Sequence, residues 1–349
     1  MADPLRSGSI MPQHRILPDV EDVLINPLAA VRDIHFISSL MVAGIVFFDL
    51  LIASPVLRIG HLRLPATRSC FADRTTKLLW IGVALSIVSA LAWLCLLSAR
   101  ITGKPFDEVI ADGTIWVVLS RTQFGFAWQL RLLLGLALAV FLLTRRATDN
   151  AAPIWRGVLA TLLASAYLGS LAFAGHGQEG LGFERNIHLA ADFLHLIAAG
   201  LWLGGLIPLA LLLAYLRRFR EESWITAACT VTGRFSNLGI LAVGILLVSG
   251  TLNASLLVGG IENLIDTRYG RLLLLKMTLF AAMVGLAAIN RQYLLPRLCG
   301  DVGIDRGART VQWLVRGALV EIALGLGVIV IVGMIGIMAP ATDVAAHVH

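Results

Sequence analysis

Three side chains that can bind a metal ion or carry a proton recur at helical spacing past the middle of the chain. His188, Asp192 and His195 are separated by four and then three residues, so on a helix all three share one face. At about 1.5 Å of rise per residue, His195 lies roughly 10 Å further along that helix than His188. The pattern indicates copper binding, haem binding or proton transfer, with structural hydrogen bonding as the alternative.

The segments around this pattern are apolar enough to cross a membrane. The chain has 349 residues, of which 58% are hydrophobic and 14% charged, whereas a soluble domain carries roughly 25% charge. Runs of about 20 apolar residues mark spanning helices. We therefore predict an all-α, polytopic membrane bundle of eight transmembrane helices. The predicted spans lie near residues 33–53, 78–98, 128–144, 155–174, 189–214, 235–256, 271–290 and 314–338.

Alternate loops of this bundle hold most of the Lys and Arg residues. They are loops 54–77, 145–156, 215–234 and 291–316, and this bias predicts that they face the cytoplasm. An even number of spans then places both termini in the periplasm. All the histidines except His61 fall in the outer half. Cys70, Cys229 and Cys299 fall on the cytoplasmic side, where free thiols are expected.

Two segments depart from a simple pattern of spans. Phe106 to Leu119 mixes acidic with large apolar residues, which is typical of a helix lying on the membrane surface. The third span is short and carries Arg131 in its first turn. We expect that side chain to extend towards the interface.

Further histidines are predicted near the depth of His188. His35 lies in the first turn of the first span and His176 ends the fourth, so three helices would contribute nitrogen ligands to one outer metal site. His347 and His349 lie in a C-terminal tail that could collect a metal ion. Imidazole suits both oxidation states of copper, and Asp192 favours the cupric form, so the pattern leaves Cu(I) and Cu(II) open.

Ionisable residues also occur inside the predicted spans. Asp49 lies in the first span, Lys276 in the seventh and Glu321 in the eighth. Such residues face the bundle interior and mark transport paths, although hydrogen bonding between helices is an equal alternative. Together the three residues sample both halves of the membrane, as a transport path would.

Other functional classes have little support in the sequence. The arginines are scattered over short loops, which does not indicate a nucleic-acid surface, and the expected surroundings are membrane lipid. Neither an HExxH motif nor a Ser–His–Asp order is present, so we do not expect an enzyme. A GxxxxGK[ST] loop is also absent, so any transport would be passive or coupled to another gradient.

Several ordered strings resemble the CopD family of bacterial inner-membrane proteins. They include HLAADFLHLIAAGLWLGGL at 188–206, RFSNLGILAVGILLVSGTLNA at 234–254 and YGRLLLLKMTLFAAMVGLAAINR at 269–291. The resemblance covers residues 31–340 and is strongest over 174–340. Residues 1–30 and 341–349 would flank this bundle as periplasmic segments.

The resemblance implies a copper transporter, with uptake as the expected direction, that contributes to copper homeostasis and resistance. It also implies a separate periplasmic copper-binding partner of the CopC type. Two alternatives remain at this stage. One is a membrane b-type cytochrome, with His35 or His176 opposite His195 as axial haem ligands. The other is a scaffold that assembles a copper enzyme without moving the metal across the membrane.

Overall fold

The structure is a computed structural model that describes seven stretches of the chain. They are residues 26–57, 65–144, 153–174, 182–218, 223–258, 261–300 and 303–338. The predictions for His61, His176, His347 and His349 lie outside the described residues. Those for the N-terminal segment before residue 26 and for the tail 341–349 lie outside them as well.

The described residues form helices and turns without any strand, and eight of the helical segments are long and apolar enough to cross a membrane. We number these segments spans 1 to 8. They are Pro27–Leu57, Cys70–Thr102, Gln123–Leu143, Ile154–Ala174, Gly182–Leu216, Ser223–Ser255, Arg268–Cys299 and Ile304–Ile335. The predicted all-α membrane bundle of eight helices is confirmed. Because the number of spans is even, residues 26 and 338 lie on the same side of the membrane.

Spans 1, 5 and 7 are not regular α-helices throughout. Each contains one π-helical turn, at Asp49–Ala53, Gly200–Gly204 and Asn290–Leu294. A π-helical turn rotates the residues that follow it relative to those before it, and such turns are frequent at functional sites. The flanking helices are Pro27–Phe48, Ser54–Leu57, Gly182–Ala199, Gly205–Leu216, Arg268–Ile289 and Leu295–Cys299.

The other spans are built more simply. Span 4 is an α-helix that tightens to a 3₁₀-helix over its last five residues. Spans 2 and 6 belong to longer helices that extend beyond the apolar window. The helices are Pro65–Thr102, Gln123–Leu143, Ile154–Gly169, Ser223–Val258 and Ile304–Ile335, with the 3₁₀ segment at Ser170–Ala174.

A capping hydroxyl sets the start of span 3. The Oγ1 of Thr122 accepts a hydrogen bond of 2.9 Å from the backbone N–H of Gly125, which satisfies one of the N–H groups left free at a helix start. The helix therefore begins at Gln123, five residues before the predicted start at 128. This earlier start places Arg131 in the third turn of the helix, inside the bundle, and the predicted position in the first turn is wrong.

The predicted surface helix is present as two short helices, Phe106–Ala111 and Thr114–Arg121. The break falls at Gly113, whose φ of 77° belongs to the left-handed region that favours glycine. Lys104 forms an ion pair with Asp112 beside this break. Its ammonium donates a hydrogen bond that holds the pKa of the Asp112 carboxyl below the usual range. Another short helix, Ile261–Asp266, lies between spans 6 and 7.

Span 1 packs between two groups of helices. Its N-terminal and middle part contributes Val42, Ala43 and Phe47 to an apolar cluster shared with spans 2, 3 and 4. Its C-terminal part contributes Ile52 and Val56 to a second cluster, formed mainly with spans 5, 6 and 8. Buried apolar contacts of this kind hold the two groups of helices on either side of span 1.

One covalent contact differs from the prediction for the cysteines. Cys229 and Cys299 form a disulfide, with Cα atoms 5.3 Å apart and 70 residues of separation in sequence. The expectation of free thiols is therefore wrong for this pair in the structure. The cause is packing of the helix Leu295–Cys299 against the helix Ser223–Val258, which sequence spacing could not show. Cys70 and Cys95 are free cysteines, as expected.

Candidate functional site

The N-terminal part of span 5 carries the predicted pair of His188 and Asp192. Their side chains are one helical turn apart, and the Nε2 of His188 lies 3.8 Å from the Oδ2 of Asp192. The His188 residue is 8% exposed, and the Asp192 side chain is 25% exposed. This pair therefore places a buried imidazole beside a partly exposed carboxylate on a membrane helix.

An amide on span 6 orients the Asp192 carboxylate. The Nδ2 of Asn253 donates a hydrogen bond of 2.5 Å to the Oδ1 of Asp192. The Oδ1 of Asn253 is buried and has no hydrogen-bond partner among the described residues. An unpaired acceptor inside a protein is costly, so this oxygen adds a polar group able to meet a cation beside Asp192.

The imidazole of His195 is held in one tautomer by Ser249. The Nδ1 of His195 lies 2.9 Å from the Oγ of Ser249, and the same hydroxyl donates its proton to the carbonyl of Ile245 at 2.6 Å. Because that proton is already used, Nδ1 must be the donor towards Ser249. The lone pair of His195 then lies on Nε2, which is the form that binds metals.

Lys276 of span 7 completes the surroundings of this stripe. It is close enough to interact electrostatically with both Asp192 and His195. Tyr269, in the first turn of span 7, also interacts with Asp192. Spans 5, 6 and 7 therefore meet around His188, Asp192 and His195, and we call these three residues the outer stripe.

His35 lies in a different hydrogen-bond network. The Nε2 of His35 accepts a 2.7 Å hydrogen bond from the Nε of Arg131. Its Nδ1 lies 3.1 Å from the carbonyl of Ser86, which can only accept, so Nδ1 is the donor. Both ring nitrogens are therefore used, and the ring is fully buried. In this arrangement His35 has no lone pair left for a metal ion or for haem iron.

Arg131 is the centre of that network and does not reach the membrane surface. The residue is 2% exposed, and its guanidinium donates to the carbonyl of Tyr167, to Ser170 and to Ser39 as well as to His35. It also lies 4.2 Å from the centre of the Tyr167 ring. The expectation that Arg131 extends towards the interface is wrong, because spans 1 and 4 supply partners for it inside the bundle.

The predicted metal ligands are thus divided between two places. Across the described ranges, no three His, Cys, Asp or Glu side chains are close enough together to hold one metal ion. The structure keeps His188, Asp192 and His195 on one face of span 5, as the spacing predicted. It does not bring His35 to them, because the partners of His35 lie on spans 2 and 3.

A second polar group lies deeper along the same face of span 5. The Nδ2 of Asn290, in the π-helical turn of span 7, donates a 2.8 Å hydrogen bond to the Oε1 of Glu321. Trp202, in the π-helical turn of span 5, also bonds to Glu321. Glu321 is 2% exposed. This predicted ionisable residue is therefore buried and paired inside the bundle, as residues on transport paths are.

A cavity of about 360 Å³ opens beside Glu321. Trp202 and Asn290 line it together with Thr232 and Ser236 of span 6. The hydroxyl of Thr232 is buried without a hydrogen-bond partner among the described residues. The cavity is large enough for several water molecules, and Thr232 and Ser236 of span 6 add hydroxyl groups to a lining that is mostly apolar.

Asp49, the third ionisable residue predicted inside the spans, does not line this cavity. Asp49 begins the π-helical turn of span 1, and its Oδ1 accepts a hydrogen bond of 3.3 Å from Ser54 of the same span. Asp49 is not among the residues that line the cavity. Its place on a transport path gains no support from this geometry.

Sequence reasoning missed several residues that decide the chemistry. Ser249 fixes the tautomer of His195, Asn290 pairs with Glu321, and Arg131 removes the lone pair of His35. Ser249 and Asn290 carried no signal of their own, because polar residues of this kind are common inside membrane helices. The charge of Arg131 inside a short apolar segment was a usable signal for a buried partner.

Two models of known protein families match the chain, each over a different part. Residues 229–335 match the family described as copper resistance protein D. Residues 22–186 match the family described as copper resistance protein D-like, N-terminal domain. No solved structure matches the chain.

Three relatives are similar over long stretches. The inner membrane protein YebZ of Escherichia coli (strain K12) is 32% identical over 313 residues, which are 89% of this chain and 97% of that protein. Copper resistance protein D of Pseudomonas syringae pv. tomato is 29% identical over 75% of this chain and 82% of its own length. Copper transport protein CutJ of Bacillus subtilis (strain 168) is 31% identical over 69% of this chain, which spans only 43% of CutJ.

The chain belongs to the copper resistance protein D family. Its eight spans and its similarity to an inner membrane protein over most of both chains make it a multi-pass protein of the bacterial inner membrane. The family resemblance seen in the sequence is confirmed.

Proposed function

We propose that this protein moves copper ions across the inner membrane into the cell and so contributes to copper homeostasis. The names of two relatives, a copper resistance protein and a copper transport protein, support copper as the ion. Copper is the cargo of the protein, and we do not propose a catalysed reaction.

The observation that carries this proposal is the fixed tautomer of His195. Its Nε2 offers a lone pair to a metal while Ser249 holds Nδ1. Nearer the start of the helix, about 4.5 Å and roughly 10 Å along its axis from His195, Asp192 and His188 offer a second pair of ligands. A transported ion must bind at each stage weakly enough to leave again. Small ligand sets spaced along one helix face meet that requirement.

The route continues from the outer stripe towards the cavity. Trp202 lies seven residues beyond His195 on the same helix, and it contacts both Glu321 and the cavity. Glu321 would neutralise the positive charge of copper as the ion passes the middle of the bundle. Lys276 would set the local charge near His195, and its ammonium repels a cation unless Asp192 offsets it.

The Lys and Arg bias of the loops supports the orientation of this route. It places the outer stripe on the periplasmic side and both termini there as well. A periplasmic copper-binding protein of the CopC type would then deliver the ion to His188 and Asp192. His176, His347 and His349, which lie outside the described residues, are proposed to assist in capture from the same side.

Uptake into proteoliposomes tests the proposal. Purified full-length protein is reconstituted into lipid vesicles, and entry of copper is followed with a copper-sensitive dye trapped inside. We expect wild-type protein to admit copper faster than empty vesicles, and His195→Gln to reduce that rate at least about tenfold, because loss of an orienting or ligating group costs 10- to 100-fold in metal affinity. Equal rates for wild type and empty vesicles would contradict transport and favour the scaffold alternative.

A matched control separates this effect from a general loss of folding. Ser255 lies on span 6 near Ser249, and among the described residues its hydroxyl bonds only to the carbonyl of Leu252 in its own helix. Ser255→Ala should transport copper like the wild type. A fall in its rate equal to that of His195→Gln would show that the assay reports damage to the bundle and would remove the support for a specific site.

A further inference from the structure

Cys229 and Cys299 lie at the end of the bundle opposite the outer stripe. Both Cys229 and Ser249, the partner of His195, belong to the continuous helix Ser223–Val258. At about 1.5 Å per residue, the two positions are roughly 30 Å apart along that helix. The cysteine pair is therefore about one membrane thickness away from the imidazoles.

Neighbouring apolar side chains hold the two cysteines in position. Leu298, next to Cys299, is fully buried, as is Trp224 near the start of the helix that carries Cys229. Cys299 itself is exposed and Cys229 is partly buried. The two sulfur atoms are therefore placed by packed elements while remaining open to molecules from that side of the membrane.

Cys229 lies on the same helix face as two hydroxyl residues that line the cavity. Cys229, Thr232 and Ser236 are spaced three and then four residues apart on one helix, so they share a face. Thr232 and Ser236 line the cavity beside Glu321, and Thr232 has a buried hydroxyl without a partner among the described residues. An ion that leaves the cavity along this face would next meet the sulfur of Cys229.

Compartment and ligand chemistry indicate what the pair would bind. Segments 215–234 and 291–316, which lie at this end of the bundle, are rich in arginine, and this bias predicts a cytoplasmic location, where thiols are kept reduced. Thiolates are soft ligands that select Cu(I). A metal held between two sulfurs separates them by about 4.6 Å, twice a typical metal–sulfur bond. Cα atoms 5.3 Å apart allow this after rotation of the side chains.

We infer that Cys229 and Cys299, once reduced, bind Cu(I) between their thiolates at the cytoplasmic end of the bundle, and that the disulfide is the closed form of this site. The inference rests on the proposed function only for the source of the copper. Two small-molecule thiols of the glutathione class supply two electrons and two protons, which yields two cysteine thiols and one small-molecule disulfide. Binding of Cu(I) then releases the two thiol protons and leaves the oxidation state of copper unchanged.

Titration of the full-length protein in detergent tests the inference. The protein is reduced and freed of reductant without oxygen, and Cu(I) alone is then partitioned between it and a coloured Cu(I) chelator. We expect the reduced wild type to hold one more Cu(I) per chain than Cys229→Ser/Cys299→Ser. The oxidised wild type should match that double variant, and X-ray absorption should detect sulfur ligands only in the reduced wild type.

Cys70→Ser is the matched control, because Cys70 is an exposed free cysteine predicted on the same side. It should bind Cu(I) like the reduced wild type. Equal Cu(I) binding by the reduced wild type and the double variant would overturn the inference, as would loss of the same Cu(I) in Cys70→Ser. Should the double variant fail to fold, the comparison of oxidised with reduced wild type still decides the matter.

Failure of this inference and failure of copper transport are distinguishable. Transport that persists in proteoliposomes while the reduced pair holds no Cu(I) would overturn the cysteine site alone. Sulfur-bound Cu(I) in a protein that moves no copper would support the cysteine site and contradict the proposed function.

Discussion

The Nε of Arg131 donates a 2.7 Å hydrogen bond to the Nε2 of His35, deep inside the bundle. Two basic side chains can share such a bond only when the imidazole is neutral and accepts. The bond joins spans 1 and 3, and the remaining guanidinium donors reach Ser39, Ser170 and the carbonyl of Tyr167. His35 therefore stabilises the N-terminal half of the bundle, whereas His195 keeps a nitrogen for a ligand.

Replacing His35 should lower stability more than copper binding. His35→Ala leaves a cavity among Trp93, Trp128 and Arg131 and removes the acceptor of a buried guanidinium. We expect a loss of about 3 kcal/mol in the free energy of unfolding, measured by denaturation in detergent micelles. Copper binding by the fraction that remains folded should be unchanged. Loss of copper binding without loss of stability would show that His35 is a ligand.

The hydrogen bond between Ser249 and His195 predicts an effect on copper affinity at a residue that need not touch the metal. Ser249→Ala removes the acceptor for Nδ1 of His195, so the ring can rotate and protonate at either nitrogen. Copper affinity should fall by roughly 10-fold or more, as it does when groups that orient metal-binding histidines are removed. A competition assay with a copper chelator measures this. Unchanged affinity would mean that Ser249 does not control the ligand.

Glu321 offers a way to separate charge from packing along the route. Glu321→Gln keeps the shape of the side chain and an oxygen that can accept from Asn290, but it removes the negative charge. We expect the fold to persist, with a change in unfolding free energy below about 1.5 kcal/mol, and copper uptake to fall severalfold. Wild-type uptake by this variant would contradict a role for the Glu321 carboxylate in passing the cation.

A close contact between two backbones predicts a structural defect. A Cβ atom on Gly204 would collide with the carbonyl oxygen of Leu40 and would lie 3.0 Å from the Cα of Gly44, so spans 1 and 5 would have to separate. Gly204→Ala should cost about 1–3 kcal/mol through overpacking. Gly239→Ala is the control, because no atom of the described part of the chain lies within 4 Å of its added Cβ. Thermal unfolding compares the two variants, and equal melting temperatures would contradict the close approach.

The sequence predicted the elements well because one physical rule dominates them. A bilayer requires about 20 apolar residues per crossing, and this requirement identified all eight spans. The outer stripe was predictable for a similar reason, since helical periodicity alone places His188, Asp192 and His195 on one face. The start of span 3 was misplaced because the cap at Thr122 lies before the most apolar stretch.

Span length and helical periodicity could not predict contacts between parts of the chain that are far apart in sequence. Arg131 and His35 are 96 residues apart, and the sequence around each residue does not indicate that the other is its partner. Cys229 and Cys299 are 70 residues apart, with no paired motif to connect them. In both cases the packing of whole helices decides the partner, and local spacing carries no information about that packing.

The coordination of copper at the outer stripe provides the most direct test of the proposed entry site. X-ray absorption at the copper edge, on purified wild type and His195→Gln loaded with one equivalent of copper, reports whether imidazole nitrogen coordinates the metal. We expect imidazole nitrogen to coordinate copper in the wild type. This coordination should be reduced or lost in His195→Gln. An identical imidazole signal in both proteins, with equal affinity, would contradict the assignment of the outer stripe as the place where copper enters.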